Sequence, residues 1–270
     1  MTDYSIYKTA AEKGEKDSMY YYGYMLFTDK VGGNKVQGFR YIELAAEAGL
    51  PDAMYFYGNE LIRGEFRRGR KNEGIRYIKL AADANSKEAN YFLGNAFKNG
   101  ENVPIDKLKS SQYFKKGADL GLAESMLAYA NMLYDGDGIP VDKKEAAAYY
   151  KKGADSGNIT CMFNYAILCD NGEGIPKDAK EACKYCKMAA DRGHAKSMRL
   201  YAIDLYNGDG IEKDRKTALF RIEKGLFMGL YRLFFTFVSN IRLCCRKTRD
   251  GYAVGRAGNV IQTDCVAELD

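Results

Sequence analysis

The sequence of 270 residues has no tryptophan, four prolines and one histidine, and it lacks a long apolar run. Scarce proline leaves most of the chain free of the residue that deletes a backbone donor and clashes with the preceding helical turn, so long helices are the default. The lone histidine, His194, is the one imidazole base, and no Ser-His-Asp or Cys-His pattern accompanies it; it reads as an exposed surface residue. The most apolar window, 230–243, contains Arg232, Asn240 and Arg242 and falls short of the roughly 20 apolar residues of a spanning helix, so no membrane span is expected. The cysteines number seven, an odd count without a disulfide-framework spacing, and no apolar signal stretch follows Met1, which together suggest a reducing, cytoplasmic compartment. Strong charge of one sign is also missing. The 41 basic and 36 acidic residues leave an excess of +5 spread along the chain, which points away from nucleic acid. The two denser basic runs, Arg63, Arg67, Arg68, Arg70, Lys71 and Arg242, Arg246, Lys247, Arg249, read as solvated loops.

What the sequence does have is a period. Ala10 to Gly14, Ala45 to Gly49, Ala81 to Asn85, Gly117 to Gly121, Gly153 to Gly157 and Ala189 to Gly193 recur at a spacing of 35 and then 36 residues. Counted from each terminal residue, position five is Met19, Met54, Asn90, Met126, Met162 or Met198, and position eight is Tyr22, Tyr57, Leu93, Tyr129, Tyr165 or Tyr201. Position nine is always small (Gly23, Gly58, Gly94, Ala130, Ala166, Ala202), and position twelve is Leu26, Leu61, Phe97, Leu133, Cys169 or Leu205. Positions five, eight, nine and twelve form one face of a 3.6-residue helix, the first helix of each unit. A glycine turn follows, clearest as Gly136-Asp137-Gly138-Ile139-Pro140 and Gly172-Glu173-Gly174-Ile175-Pro176. Asp142 with Glu145, and Asp178 with Glu181, then have the spacing of a capping box that opens a second helix, whose buried face repeats as Tyr41, Tyr77, Tyr113, Tyr149 and Tyr185.

Tyr-Gly in the first helix, the Gly-x-Gly-Ile-Pro turn, Asp-x-x-Glu-Ala, Tyr and the closing Ala-Ala-x-x-Gly resemble the Sel-1-like repeat, a relative of the tetratricopeptide repeat. The likeness covers residues 1 to about 229 and is strongest in 122–193; the turns at 30–34 and 65–70 lack the motif. The resemblance implies an all-α, right-handed solenoid of antiparallel helix pairs: a half repeat 1–14, then units 15–49, 50–85, 86–121, 122–157, 158–193 and 194–229. Residues 230–270 are expected to be a degenerate capping segment and a poorly ordered tail, with 230–243 open to a partner or to self-association. Because the chain opens on a second helix, its start is either a cap or the continuation of something longer, which could carry a signal upstream.

In such solenoids the first helices line a concave groove, which places positions three, six, ten and thirteen on its wall. Candidate groove residues are Tyr20, Tyr24, Asp52, Tyr55, Asn59, Glu88, Tyr91, Asn95, Glu124 and Asn131. Carboxamides can hold a peptide backbone by paired bonds, tyrosines give contact area at low entropic cost, and the acids favour a basic partner. The competing reading packs these side chains between neighbouring first helices. The expected function is a non-catalytic scaffold or adaptor for a protein or peptide partner, without cofactor or metal. Two other family roles stay open: part of an endoplasmic-reticulum degradation and ubiquitin-ligase assembly, and a hydrolase of the cysteine-rich type, which would need paired cysteines at fixed offsets. Cys183 and Cys186 form a Cys-x-x-Cys without a second pair and, like Cys161, read as small core substitutions. Ser5-x-x-Lys8 lacks partner motifs, the Gly-x-Gly turns lack a preceding strand and a lysine, and the sequon at Asn158 matters only for a secreted chain.

Overall fold

The computed structural model describes residues 4–30, 34–64, 67 and 69–221. Twelve complete helices follow one another: α1 (Tyr4–Glu12), α2 (Lys16–Phe27), α3 (Lys35–Glu47), α4 (Pro51–Arg63), α5 (Lys71–Asp83), α6 (Lys87–Asn99), α7 (Lys107–Asp119), α8 (Ala123–Asp135), α9 (Lys143–Asp155), α10 (Ile159–Asn171), α11 (Ala179–Asp191) and α12 (Ala195–Asn207). A further helix, α13, is described over 215–221, and no strand occurs among the described residues. Each helix packs on the next, so the even-numbered helices are first helices and the odd-numbered ones second helices of an α-solenoid. The weaker repeat copy at 223–229, the apolar window 230–243 with Phe234 and Phe237, the tail and the second basic run lie outside the described residues.

Chain reversals explain the period. The closing residues of the second helices, Gly14, Gly49, Gly121, Gly157 and Gly193, all have positive φ, and Asn85 holds the same place at φ 64 because asparagine tolerates the left-handed region better than other side chains. First helices likewise end on left-handed glycines from Gly64 to Gly208. Asp142 Oδ1 accepts from Glu145 N at 2.8 Å and Asp178 Oδ1 from Glu181 N at 2.9 Å, as an N-cap should. The glutamate halves of these boxes are employed differently from the expectation: Glu145 accepts from Lys115 at 2.9 Å and Glu181 pairs with Lys151 at 3.6 Å, each joining a second helix to the one before.

Within a unit, the position-eight ring meets the second-helix tyrosine edge to face: Tyr57 with Tyr77 at 4.9 Å, Tyr129 with Tyr149 at 4.9 Å, Tyr165 with Tyr185 at 4.8 Å. Tyr149 and Tyr185 are buried, whereas Tyr41, Tyr77 and Tyr113 are half-buried, a smaller burial than the pattern suggested. Their hydroxyls tie successive second helices together at a fixed offset of thirty residues: Tyr149 donates to Asp119 at 2.8 Å and Tyr185 to Asp155 at 2.6 Å, while Arg221 takes the same place against Asp191 at 3.0 Å.

Part of the first basic run is not a solvated loop. Glu43 is only 4% exposed; Tyr57 donates to it at 2.7 Å, and Arg67 forks onto both its oxygens at 2.8 and 3.0 Å. Arg63 pairs with Glu60, and Arg70 with Glu73. A carboxylate withdrawn from water needs charge-assisted partners, and this turn supplies them across the junction between the first two units.

Candidate functional site

Positions three, six, ten and thirteen of the first helices form a partly open stripe. Asp52 and Glu124 are exposed; Glu88, Tyr20, Tyr24, Tyr55, Asn59, Tyr91, Asn95 and Asn131 are half-buried. Part of each tyrosine ring is taken up by packing. Phe56 of α4 lies 6.4 Å from Tyr20, 5.6 Å from Tyr24 and 5.2 Å from Phe27 of α2, and Phe92 of α6 lies 6.4 Å from Tyr55. Tyr91 turns toward the second helix α7, where Phe114 is 5.8 Å away. Burial, with Asp52 next in weight, pushes the Tyr20 hydroxyl up to about 12; burial and then Glu88 raise Tyr55. The acidic position three thus acts on the aromatic position six of the preceding first helix.

Asn95 donates to the Tyr91 carbonyl of its own helix at 3.1 Å. Asn131 is engaged differently, because Tyr150 of α9 donates to its Oδ1 at 2.6 Å. This pair lies at a cavity of about 270 Å³ bounded by Asn131, Tyr134 and Asp135 of α8 and by Phe163 and Asn164 of α10. Seven residues after the terminal residue stand Phe56 and Phe92, which pack against α2 and α4; the same position is Ala128 in α8 and Asn164 in α10, and Asn164 lines the cavity. Burial raises the Tyr150 hydroxyl, the Asn164 amide opposes that rise, and the Asp135 carboxylate adds to it.

The structure brings Asn131 into this cavity and leaves the other candidate groove residues along the stripe. Phe163, at position six of α10, and Tyr134, at position thirteen of α8, belong to the same stripe and also line the cavity, whereas Asp135, Tyr150 and Asn164 lie off it.

Other candidates have structural employment. His194 is half-buried and not a free surface residue: its Nδ1 caps α12, accepting from Ser197 N at 3.3 Å, and its ring lies 4.9 Å from Phe163. Burial and then Lys196 lower its pKa. Asn158 caps α10 through Cys161 N at 3.0 Å. Cys161, Cys169, Cys183 and Cys186 are buried free thiols, and burial pushes Cys183 up to about 11 and Cys186 up to about 12, away from the reactive thiolate form. Cys161 sits over Gly153, where a Cβ would come within 2.5 Å of its sulfur. Among the described residues no cluster of three or more His, Cys, Asp or Glu is placed to hold a metal, and no helix is long and apolar enough to cross a membrane.

The Sel1 repeat family pattern matches six successive segments, 16–50, 51–86, 87–122, 123–158, 159–194 and 195–220. The chain is a Sel1-repeat protein. No curated protein sequence matches it. Among solved structures, this Sel1-repeat chain is similar to c5321, described as a protective antigen present in uropathogenic Escherichia coli strains displaying an SLR fold, with 23% identity and a TM-score of 0.77, covering 85% of this chain and 49% of that one. It is also similar to a Sel1 repeat protein from Oxalobacter formigenes, with 23% identity and a TM-score of 0.67, covering 80% of this chain and 89% of that one. The chain therefore spans about half the length of the first of these. Both likenesses concern the fold. Sel1 repeats commonly form non-catalytic scaffolds that bind proteins.

Proposed function

We propose that this Sel1-repeat chain is an adaptor whose first-helix stripe is a concave groove that holds an extended segment of a partner protein and performs no chemistry on it. The observation that carries this is the run of half-buried asparagines at position ten, Asn59, Asn95 and Asn131, in three consecutive units, set beside the acids Asp52, Glu88 and Glu124. Repeated carboxamides offer a donor and an acceptor at a regular interval, which suits a peptide backbone; the tyrosine edges add contact area, and the acids favour basic residues. Units 15–49 through 158–193 and the described part of the last unit are the modules of this groove. The four buried free thiols suit a reducing compartment such as the cytoplasm.

Affinity capture from cell extract tests the proposal, using the intact chain beside a variant carrying Tyr55→Ala, Asn59→Ala and Asn95→Ala that keeps its helicity. Proteins captured by the first and lost from the second are the expected result. Identical captures by both would remove the stripe as the binding surface.

A further inference from the structure

We propose that the cavity between α8 and α10 is a specificity pocket that accepts one cationic side chain, lysine or arginine, from the segment held in the groove; this rests on the groove proposal and adds which residue the groove selects. Size comes first. At about 270 Å³ the cavity falls just below the roughly 300–1,000 Å³ of sites that enclose whole small molecules, which suits a single long side chain.

Its lining mixes apolar and polar groups. Phe163, Tyr134, Ile167 and Leu168 line it with apolar surface for an alkyl stem, and Asn131, Asn164 and the Tyr150 hydroxyl, which donates to Asn131 at 2.6 Å, line it with polar groups. Asp135, exposed at the end of α8, places a carboxylate at the mouth.

The same rings already accept ammonium groups of this chain, with Lys143 5.0 Å over Tyr134 and Lys196 6.0 Å over Phe163. Lys143 is neutralised by Glu173 at 2.6 Å, so it does not offset Asp135; Lys196 is the opposing charge near Phe163. Along the approach, position three is acidic in α2, α4, α6 and α8, as Asp17, Asp52, Glu88 and Glu124. An anionic side chain would meet this field. A flexible aliphatic stem with a cationic tip fits the apolar lining and the acidic mouth.

The test is an NMR titration of the full chain with blocked pentapeptides Ala-Ala-X-Ala-Ala, in which X is arginine, lysine, citrulline, norleucine or glutamate. Arginine and lysine peptides should shift the side-chain amide signals of Asn131 and Asn164 saturably and bind about tenfold or more tighter than citrulline and norleucine peptides. Asp135→Asn should reduce them to the citrulline level. This substitution is at an exposed helix end next to the C-cap Gly136, where loss of a negative charge does not oppose the helix dipole, so folding is retained. Equal binding of norleucine or glutamate, or unchanged arginine binding by Asp135→Asn, overturns the proposal. Shifts confined to Asn59 and Asn95 would keep the groove and remove the pocket, and no shift at either place would remove both.

Discussion

The first two helix pairs and the last three share one architecture and hold it by different means. In α2/α3 and α4/α5 the helices meet glycine to glycine: a Cβ on Gly23 would come within 2.8 Å of the Gly38 carbonyl, and one on Gly58 within 2.7 Å of the Gly74 carbonyl. In the third pair Ser110 donates to the Gly94 carbonyl at 2.7 Å, and further on the equivalent places hold buried Ala130 and Ala146, Ala166 and Ala182, Ala202 and Ala218. Junction charge is inverted too. Glu43 receives Tyr57 and Arg67, whereas the register places Lys115 and Lys151 at the corresponding points, over the rings of Tyr129 at 5.0 Å and Tyr165 at 5.6 Å. The repeat therefore constrains summed volume and charge complementarity across each contact, and leaves residue identity free. The cavity between α8 and α10 lies where that freedom set Asn164 in place of an aromatic.

The sharpest way to break this comparison is at Glu43. Glu43→Gln removes the charge that Arg67, Arg40 and Tyr57 converge upon and should lower stability by about 3 kcal/mol, the low end for a broken buried pair because both arginine heads reach water. Glu145→Gln, at the half-exposed pair between α7 and α9, should cost about 1 kcal/mol or less. Urea denaturation of both variants checks the contrast, and equal losses would mean that the N-terminal junction is no more dependent on its ion pair than the others. A smaller contrast lies in helix contact. Gly58→Ala forces α4 and α5 apart and should cost about 2 kcal/mol despite better helix propensity, whereas Ala166→Gly in the alanine-packed region loses a methyl contact and propensity worth about 1 kcal/mol. A stabilised Gly58→Ala would show that the close approach is not required.

The helices and their buried faces were legible because period, small residue and terminal glycine reinforce one another in every unit. The Glu43 network was not, because its partner Arg67 lies in a turn that lacks the family motif, within a run of arginines that reads as solvation. The stripe was placed by analogy, and by its register Asn131 (position ten) and Tyr134 (position thirteen) of α8 and Phe163 (position six) of α10 line the cavity. Tyr150 lies on the intervening α9 and Asn164 lies off the stripe on α10, so their place at the cavity depends on how α8, α9 and α10 pack, which no local spacing encodes.

Two carboxylates withdrawn from water to different degrees give the comparison opposite responses to acid. Asp204, half-buried on α12 where it faces α10 and α11, is raised from an ordinary 3.8 to about 6, chiefly by burial and then by Asp170 and Asp209. A raised acid favours the folded state when protonated, so its contribution is present below about 4 and lost as pH rises through about 6. A shift of this size, discounted for partial solvent access, corresponds to about 1–2 kcal/mol gained by the C-terminal helices between pH 7 and the acid side of 5. Burial also pushes Glu43 upward, but Tyr57, Arg40 and Arg67 outweigh it and hold it below its ordinary 4.5, so its contribution is present above that value and is lost only as pH falls further. Hydrogen exchange, corrected for intrinsic rates, should therefore show α12 better protected at pH 5 than at pH 7 while α3 stays unchanged, and Asp204→Asn should remove the difference. Protection in α12 that ignores pH would place Asp204 in contact with bulk water, and the two ends of the solenoid would then differ in packing and ion pairing alone.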